Sequence, residues 1–137
     1  MRGSEIFVGA IIINPKGEYL LQKRDSKTRL FPNNWTLFGG RVEKNETTQE
    51  AIIRELKEEI SIKKKQISSV RIFKVYLQKN GTKQVIFAII SKAKISELKL
   101  NEGEKMEFVS PTALFKRKFA FNIKDVLKDF VRLGTQT

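Results

Sequence analysis

The sequence predicts an α/β (α+β) domain in which a mixed β-sheet carries helices on its faces. Three observations lead there: apolar stretches of strand length bounded by turn residues, an amphipathic helix in mid-chain opened by a capping signature, and a second helical pattern near the end. The order strands, helix, strands, helix suggests a mixed sheet covered by helices on its faces.

Ile6 to Asn14 and Glu18 to Arg24 read as two strands joined by the turn at Pro15-Lys16-Gly17, a hairpin. Asp25 to Asn34 is polar with one proline and reads as loop, and Trp35 to Phe38 as a short apolar strand running into Gly39-Gly40. Thr47 followed by Glu50 is a capping-box signature, and the helix it opens continues to about Ile60. Its apolar positions Ala51, Ile52, Leu56 and Ile60 form a stripe for the core, which leaves Glu55, Glu58 and Glu59 for another face. Ile67 to Gln78 and Gln84 to Ala93 flank Asn80-Gly81, the strongest hairpin signal in the chain. A further strand is expected near Met106 to Val109. Ser110-Pro111 is then expected to open a short helix, and a last helix is expected from Asn122 to Leu133, stopped by Gly134.

With 137 residues, no repeat and no linker, residues 1–137 are expected to form a single domain. The apolar run Ile6 to Ile13 is too short to span a bilayer, and no signal peptide is expected. Neither cysteine nor histidine is present, which excludes thiol nucleophiles, disulfides, imidazole bases and the common zinc sites. Acid–base chemistry must come from carboxylates, Lys or Tyr, and the absence of cysteine fits a reducing cytoplasm.

Charge is unevenly spread. The net charge is +12, yet residues 41 to 60 hold six of the fifteen acids against four bases, so this window is −2 and the remainder +14. An acidic spot on a basic body suits a divalent-cation site surrounded by groups that attract phosphates. Within that window Glu55, Glu58 and Glu59 stand at i, i+3 and i+4 of the helix, a spacing at which like charges repel. A hard cation such as Mg²⁺ or Mn²⁺, which prefers oxygen ligands, turns that repulsion into binding. Gly39-Gly40 lets the backbone approach closely enough for a carbonyl to join the shell, and Arg54 can orient a neighbouring carboxylate.

These residues carry a family resemblance. Gly40, five residues, Glu46, seven residues, Arg54-Glu55, Leu56, one residue, Glu58-Glu59, two residues and Ile62 resemble the Nudix box, with Ser61 where glycine is usual. The resemblance implies the Nudix fold, a mixed sheet sandwiched between α-helices. It further implies hydrolysis of a diphosphate linkage in a nucleoside di- or triphosphate or a nucleoside diphosphate derivative. Glu58 and Glu59 would be principal metal ligands, Glu55 a ligand or the base, and the Gly39 or Gly40 carbonyl a further ligand, with Arg54 and Glu46 in support. An acid outside the box often joins the chemistry in such enzymes, which makes Glu104 a catalytic candidate and Glu102 an alternative base.

For substrate binding, Arg24 and Arg41 are candidate phosphate contacts. Trp35 and Phe38 are candidates for stacking on a base, set against the commoner role of strand aromatics as core. Lys63-Lys64-Lys65 and Lys116-Arg117-Lys118 read as solvated clusters able to assist an RNA tail. The expected partner is a nucleotide, with RNA a further candidate, no membrane, and a monomer or homodimer in the cytoplasm. Two alternatives stand beside the main reading: a pyrophosphohydrolase of RNA 5′ ends, suggested by the basic charge, and an inactive nucleotide-binding regulator, against which the complete set of acids argues.

Overall fold

The computed structural model describes residues 5–134. The described strands are β1 (Ile6–Ile13), β2 (Tyr19–Lys23), β3 (Trp35–Thr36), β4 (Phe38–Arg41), β5 (Ile67–Leu77), β6 (Lys83–Ser91) and β7 (Lys105–Val109). The helices are α1 (Thr48–Ile60) and α2 (Ile123–Gly134). The seven strands join in one mixed sheet.

β1 is the axis of that sheet. One of its edges runs parallel to β6 from Ile6↔Lys83 to Ile13↔Ile90. Antiparallel to it on the other side are β4, over Phe7 to Ala10, and β2, which meets it only at Ile12 and Ile13. The expected first hairpin therefore forms but is short, because β4 takes the rest of the edge. A strand covered on both faces needs apolar residues on both, so β1 reads as a nearly continuous apolar run.

The two-residue period divides this run between two cores. Val8, Ala10 and Ile12 join Leu20, Val85, Phe87, Ile89 and the α1 stripe Ala51, Ile52, Leu56 and Ile60. Ile11 joins Tyr19, Leu21, Ile86, Ala88 and the α2 residues Val126, Leu127 and Phe130 on the opposite face. Full burial of each large aliphatic side chain contributes about 1.5–3 kcal/mol, which is what holds one helix on each face.

α1 begins as expected. The Thr47 hydroxyl accepts from the Glu50 N–H at 3.0 Å, and the Glu50 carboxylate accepts from the Thr47 N–H at 2.8 Å. The helix ends at Ser61, which takes the left-handed conformation (φ 55°, ψ 33°) and donates its N–H to the Lys57 carbonyl. Carbonyls of the last turn normally lack partners. Here Asn101 donates its N–H to Glu59 O at 2.8 Å and its side-chain amide to Glu58 O at 3.0 Å, while Lys99 N–H reaches Ile60 O at 3.0 Å. The loop before β7 is thereby fastened to the end of α1.

Three expectations need correction. The stretch Trp35 to Phe38 is two strands, with β3 on β2 and β4 on β1, and the two glycines lie within β4. Leu37 sits between them and offers its carbonyl to the Gln22 side chain at 3.1 Å. Ser110-Pro111 opens a turn and one 3₁₀ turn (Leu114–Lys116), with no α-helix. The chain there is drawn out to pair with β3: Trp35 N–H donates to Lys118 O, and Ala120 N–H donates to Trp35 O. The last helix starts at Ile123, with the Asn122 carbonyl accepting the Val126 N–H at 3.0 Å, and includes Gly134, one residue later at each end than expected.

Candidate active site

α1 presents its acids in a graded series. Glu59 follows Ile52 by seven residues, about 20° short of two full turns, so it stands on the same side as the apolar stripe. Glu59 is 5% exposed. The Glu55 side chain is 14% exposed and that of Glu58 59%. The expectation that all three share a face away from the core is thus corrected for Glu59, which points in under the sheet edge and accepts the Gly39 N–H at 3.2 Å.

Gly40 explains how Glu55 comes so close. Its α-carbon carries no side chain, and a Cβ there would run into the Glu55 carboxylate. At Gly39 a Cβ would strike the Val8 carbonyl of β1. The double glycine therefore lets a strand lie flat against both its partner and a helix carboxylate.

Arg54 is the hub on the outer side. Its guanidinium grips Glu46 with two bonds (2.7 and 3.1 Å), reaches the Arg41 carbonyl at 2.9 Å, and donates to Glu55 at 3.0 Å and to Glu58 at 3.3 Å. The bond from Arg54 holds the Glu46 carboxyl below its ordinary range, and Arg54 itself is pushed up, first by that same bond. Such a planar fork shared between carboxylates is a role lysine cannot reproduce.

On the inner side Glu102 faces Glu59. Burial first, then the bond and charge of Glu55 and the charge of Glu102, push the Glu59 carboxyl up to about 10. A buried carboxylate in that setting is held ionised only by positive charge brought up to it. As the side chains stand, no three acids among the described residues converge as a ready cage for an ion. Glu55 and Glu58 turn to Arg54 instead. The donor chemistry nevertheless fits a hard dication: it is all carboxylate and backbone oxygen, without the nitrogen or sulfur that softer metals prefer.

A cleft of about 210 Å³ opens beside these acids, lined by Gly39, Glu102, Gln22, Thr36, Arg24 and Phe121 among others. Arg24 is positioned by the loop after β2, donating to Leu30 O and to the Thr28 hydroxyl, both at 3.1 Å. Of the residues the sequence nominated, the structure gathers Gly39, Gly40, Glu46, Arg54, Glu55, Glu58, Glu59 and Arg24 in or around this region.

Others lie elsewhere. Arg41 pairs with Glu5 at 3.3 Å and lies over Phe7. Glu104 pairs with Lys23 at 3.7 Å, so of the two loop acids it is Glu102 that lines the cleft. Trp35 and Phe38 are 8% and 0% exposed and are core residues, which corrects their candidacy as base-stacking surfaces. Arg117 is not free either: it is bound to Glu107 at 2.8 Å and lies over the Trp35 ring. The sequence reading missed Asn101, whose capping of α1 brings Glu102 over Glu59, and Phe121. The positive φ of Phe121 leaves no recognisable pattern in the sequence.

Comparison with known proteins places this site in a family. A family model for the NUDIX domain matches residues 4–130. The chain is 47% identical over 49 residues to the nucleoside triphosphatase NudI of Enterobacter sp. (strain 638), a match covering 36% of this chain and 35% of that protein. It is 29% identical over 116 residues to the RNA pyrophosphohydrolase of Hydrogenovibrio crunogenus, covering 74% of this chain and 67% of that protein. The chain thus spans about a third of the length of the NudI relative it matches. Among solved structures, the MutT protein from Methanosarcina mazei Go1 superposes with a TM-score of 0.68 at 26% identity, over 96% of this chain and 95% of that one. Gly40 stands on β4, Arg54, Glu55, Glu58 and Glu59 on α1 and Glu46 in the turn between them, the fold superposes on a solved relative, and the family model spans nearly all of the described residues: the chain belongs to the Nudix family.

Proposed function

We propose that the protein is a Mg²⁺- or Mn²⁺-dependent hydrolase that cleaves a diphosphate linkage in a nucleoside di- or triphosphate or a nucleoside diphosphate derivative. The observation that carries this reading is the Glu59 carboxylate. It is almost fully buried beside Glu55 and Glu102 and accepts the Gly39 N–H, and both Glu102 and Gly39 line a cleft that also presents Arg24. Burying an acid against two others is costly unless a cation is brought to it. The printed activities of the relatives, a nucleoside triphosphatase and an RNA pyrophosphohydrolase, support the same reading.

In this proposal Glu59 and Glu55 hold the metal, and Glu58 joins them by leaving its exposed 3.3 Å contact with Arg54. The Gly39 and Gly40 carbonyls are further candidates for the shell. When bound, the dication shields the anionic diphosphate and lowers the pKa of a water. Arg24 attracts and orients phosphate oxygens in the cleft. Glu55 or Glu102 takes the proton of the attacking water, and Arg54, gripped by Glu46, fixes Glu55 while it does so. The acids and the cleft belong to one proposed domain acting in the cytoplasm as a monomer or homodimer. Among the described residues no helix is long and apolar enough to cross a membrane.

Replacing Glu59 by Gln removes the charge and keeps the shape. Turnover of a nucleoside triphosphate should fall by about 100-fold or more, with the circular dichroism spectrum unchanged. Near wild-type phosphate release at saturating Mg²⁺ would refute the assignment.

A second reading, action on triphosphorylated RNA 5′ ends, is favoured by the net charge of +12 and by the RNA pyrophosphohydrolase relative. It requires that binding to such RNA weaken steeply with rising salt and that free nucleotides be poor substrates. Comparing phosphate release from both at two salt concentrations decides between the readings.

A further inference from the structure

Phe121, which lines the cleft, and Phe31, whose ring packs against it, have unusual backbone. Phe31 and Phe121 hold φ of 50° and 52°, a region bulky residues avoid. Their exposures are 41% and 52%. Their ring centroids are 4.8 Å apart, with the planes tilted by 59°. The Arg24 guanidinium stands 5.1 Å from the Phe121 centroid.

The backbone around Phe121 is clamped on both sides. Ala120 N–H donates to Trp35 O at 2.9 Å, Ile123 N–H closes a turn onto Ala120 O at 3.1 Å, and the Asn122 and Gln84 side-chain amides bond to each other twice. Phe31 is turned likewise by the Asn34 N–H donated to its carbonyl. Strain held in place by surrounding structure at a cleft is a pointer to use. Here it holds two aromatic rings in solvent where burial would otherwise favour them. Phe121 and Gln84 also line a neighbouring open groove of about 980 Å³, so the ring stands between the acids and a space large enough for a nucleoside.

We propose that Phe31 and Phe121 form an aromatic platform on which the base of the nucleotide substrate stacks, with Arg24 at its edge serving both ring and phosphate. The inference rests on the reading of the cleft as a nucleotide-hydrolysing site, and it assigns base stacking to these residues in place of Trp35 and Phe38. Every base has a π-face, so the platform confers affinity for nucleotides as a class, and it leaves discrimination between bases to polar neighbours.

The test is binding without turnover. The bismethylene analogue of ATP and inorganic tripolyphosphate are titrated calorimetrically, in the presence of Mg²⁺, into wild type, Phe121→Ala, Phe31→Ala, Phe121→Leu and Phe121→Tyr. Loss of stacking should weaken the nucleotide analogue by about tenfold in the Ala and Leu variants. Tripolyphosphate binding should stay within about twofold of wild type, and Tyr should restore nucleotide affinity. The bismethylene triphosphate analogue of 2-aminopurine riboside should lose fluorescence on binding wild type and keep it on the Ala variants. Unchanged nucleotide affinity in the Ala variants overturns the platform. So does equal weakening of both probes together with a lowered thermal midpoint, which marks a purely structural ring pair. If wild type binds neither probe, the parent reading fails with it; if it binds both equally, the platform alone fails.

Discussion

The Glu55 carboxylate lies on the α-carbon of Gly40, and this contact fixes how far α1 can approach β4. Gly40→Ala would push the carboxylate away without disturbing a core side chain. Turnover should fall at least about tenfold while stability changes by less than about 1 kcal/mol, which kcat and a denaturant titration would show together. The spacing of Arg54, Glu55, Glu58 and Glu59 was legible, because one helix sets their relative azimuths whatever it packs against, and Glu46 sits in the turn just before it. The inward turn of Glu59 was misjudged: its charge argued for the outer side, while its place two turns after Ile52 puts it on the buried side. The sequence reading put Glu104 ahead of Glu102, whereas the structure brings Glu102 against Glu59 and pairs Glu104 with Lys23. Two residues' difference in a polar loop decides which acid faces Glu59, and the capping of α1 by Asn101 helps set that register.

The ends of α1 show how an element is terminated by local chemistry. Ser61 adopts a left-handed conformation that costs a residue with a Cβ about 1–2 kcal/mol, in part offset by its hydroxyl accepting from Asn101 at 3.1 Å. Ser61→Gly should therefore stabilise the protein modestly, by up to about 1 kcal/mol, seen as a raised thermal midpoint with unchanged activity. At the other end Thr47→Ala removes the hydroxyl that accepts the Glu50 N–H, and a loss of about 1 kcal/mol is expected by the same measurement. The fastening of the last turn by Asn101 comes from a distant segment and was not visible in the sequence, but the start of α1 was, because its capping box is local. The hairpin around Asn80-Gly81 was visible for the same reason, with Gly81 at φ 88° and the Asn80 side chain accepting from the Thr82 N–H. The split of Trp35 to Phe38 into two strands was not, since both halves are equally apolar and the break comes from which neighbour offers a free edge.

Across the whole molecule, ion pairs join segments that are distant in the chain. Arg117 binds Glu107 on β7, and Tyr76 and Lys74 of β5 bind Asp129 of α2 at 2.7 and 3.1 Å. Arg117 holds the Glu107 carboxyl below its ordinary value of 4.5, and Tyr76 first, then Lys74, hold Asp129 below 3.8. A carboxyl depressed on folding stabilises the native state above its ordinary pKa, and that stability is lost as the pH falls through the depressed value. In the metal-free protein the stability these two carboxyls supply should therefore persist on acidification until about pH 4.5 and be lost below it, while the raised Glu59 carboxyl adds stability as the pH falls toward 4.5, so the thermal midpoint should climb to a maximum near there and then drop. Glu107→Gln should make the drop shallower, as thermal melts at stepped pH would reveal. By itself the sequence determined the class of fold, the acid-bearing helix with its capping box, and the family, because these rest on periodicity and spacing within short segments. Only the tertiary structure decided that β1 serves three neighbours, that Trp35 and Phe38 are core, and that Phe31 and Phe121 meet at the cleft. Each of these depends on which distant segment fills an edge or a face, and free energy of that kind belongs to the assembled contacts.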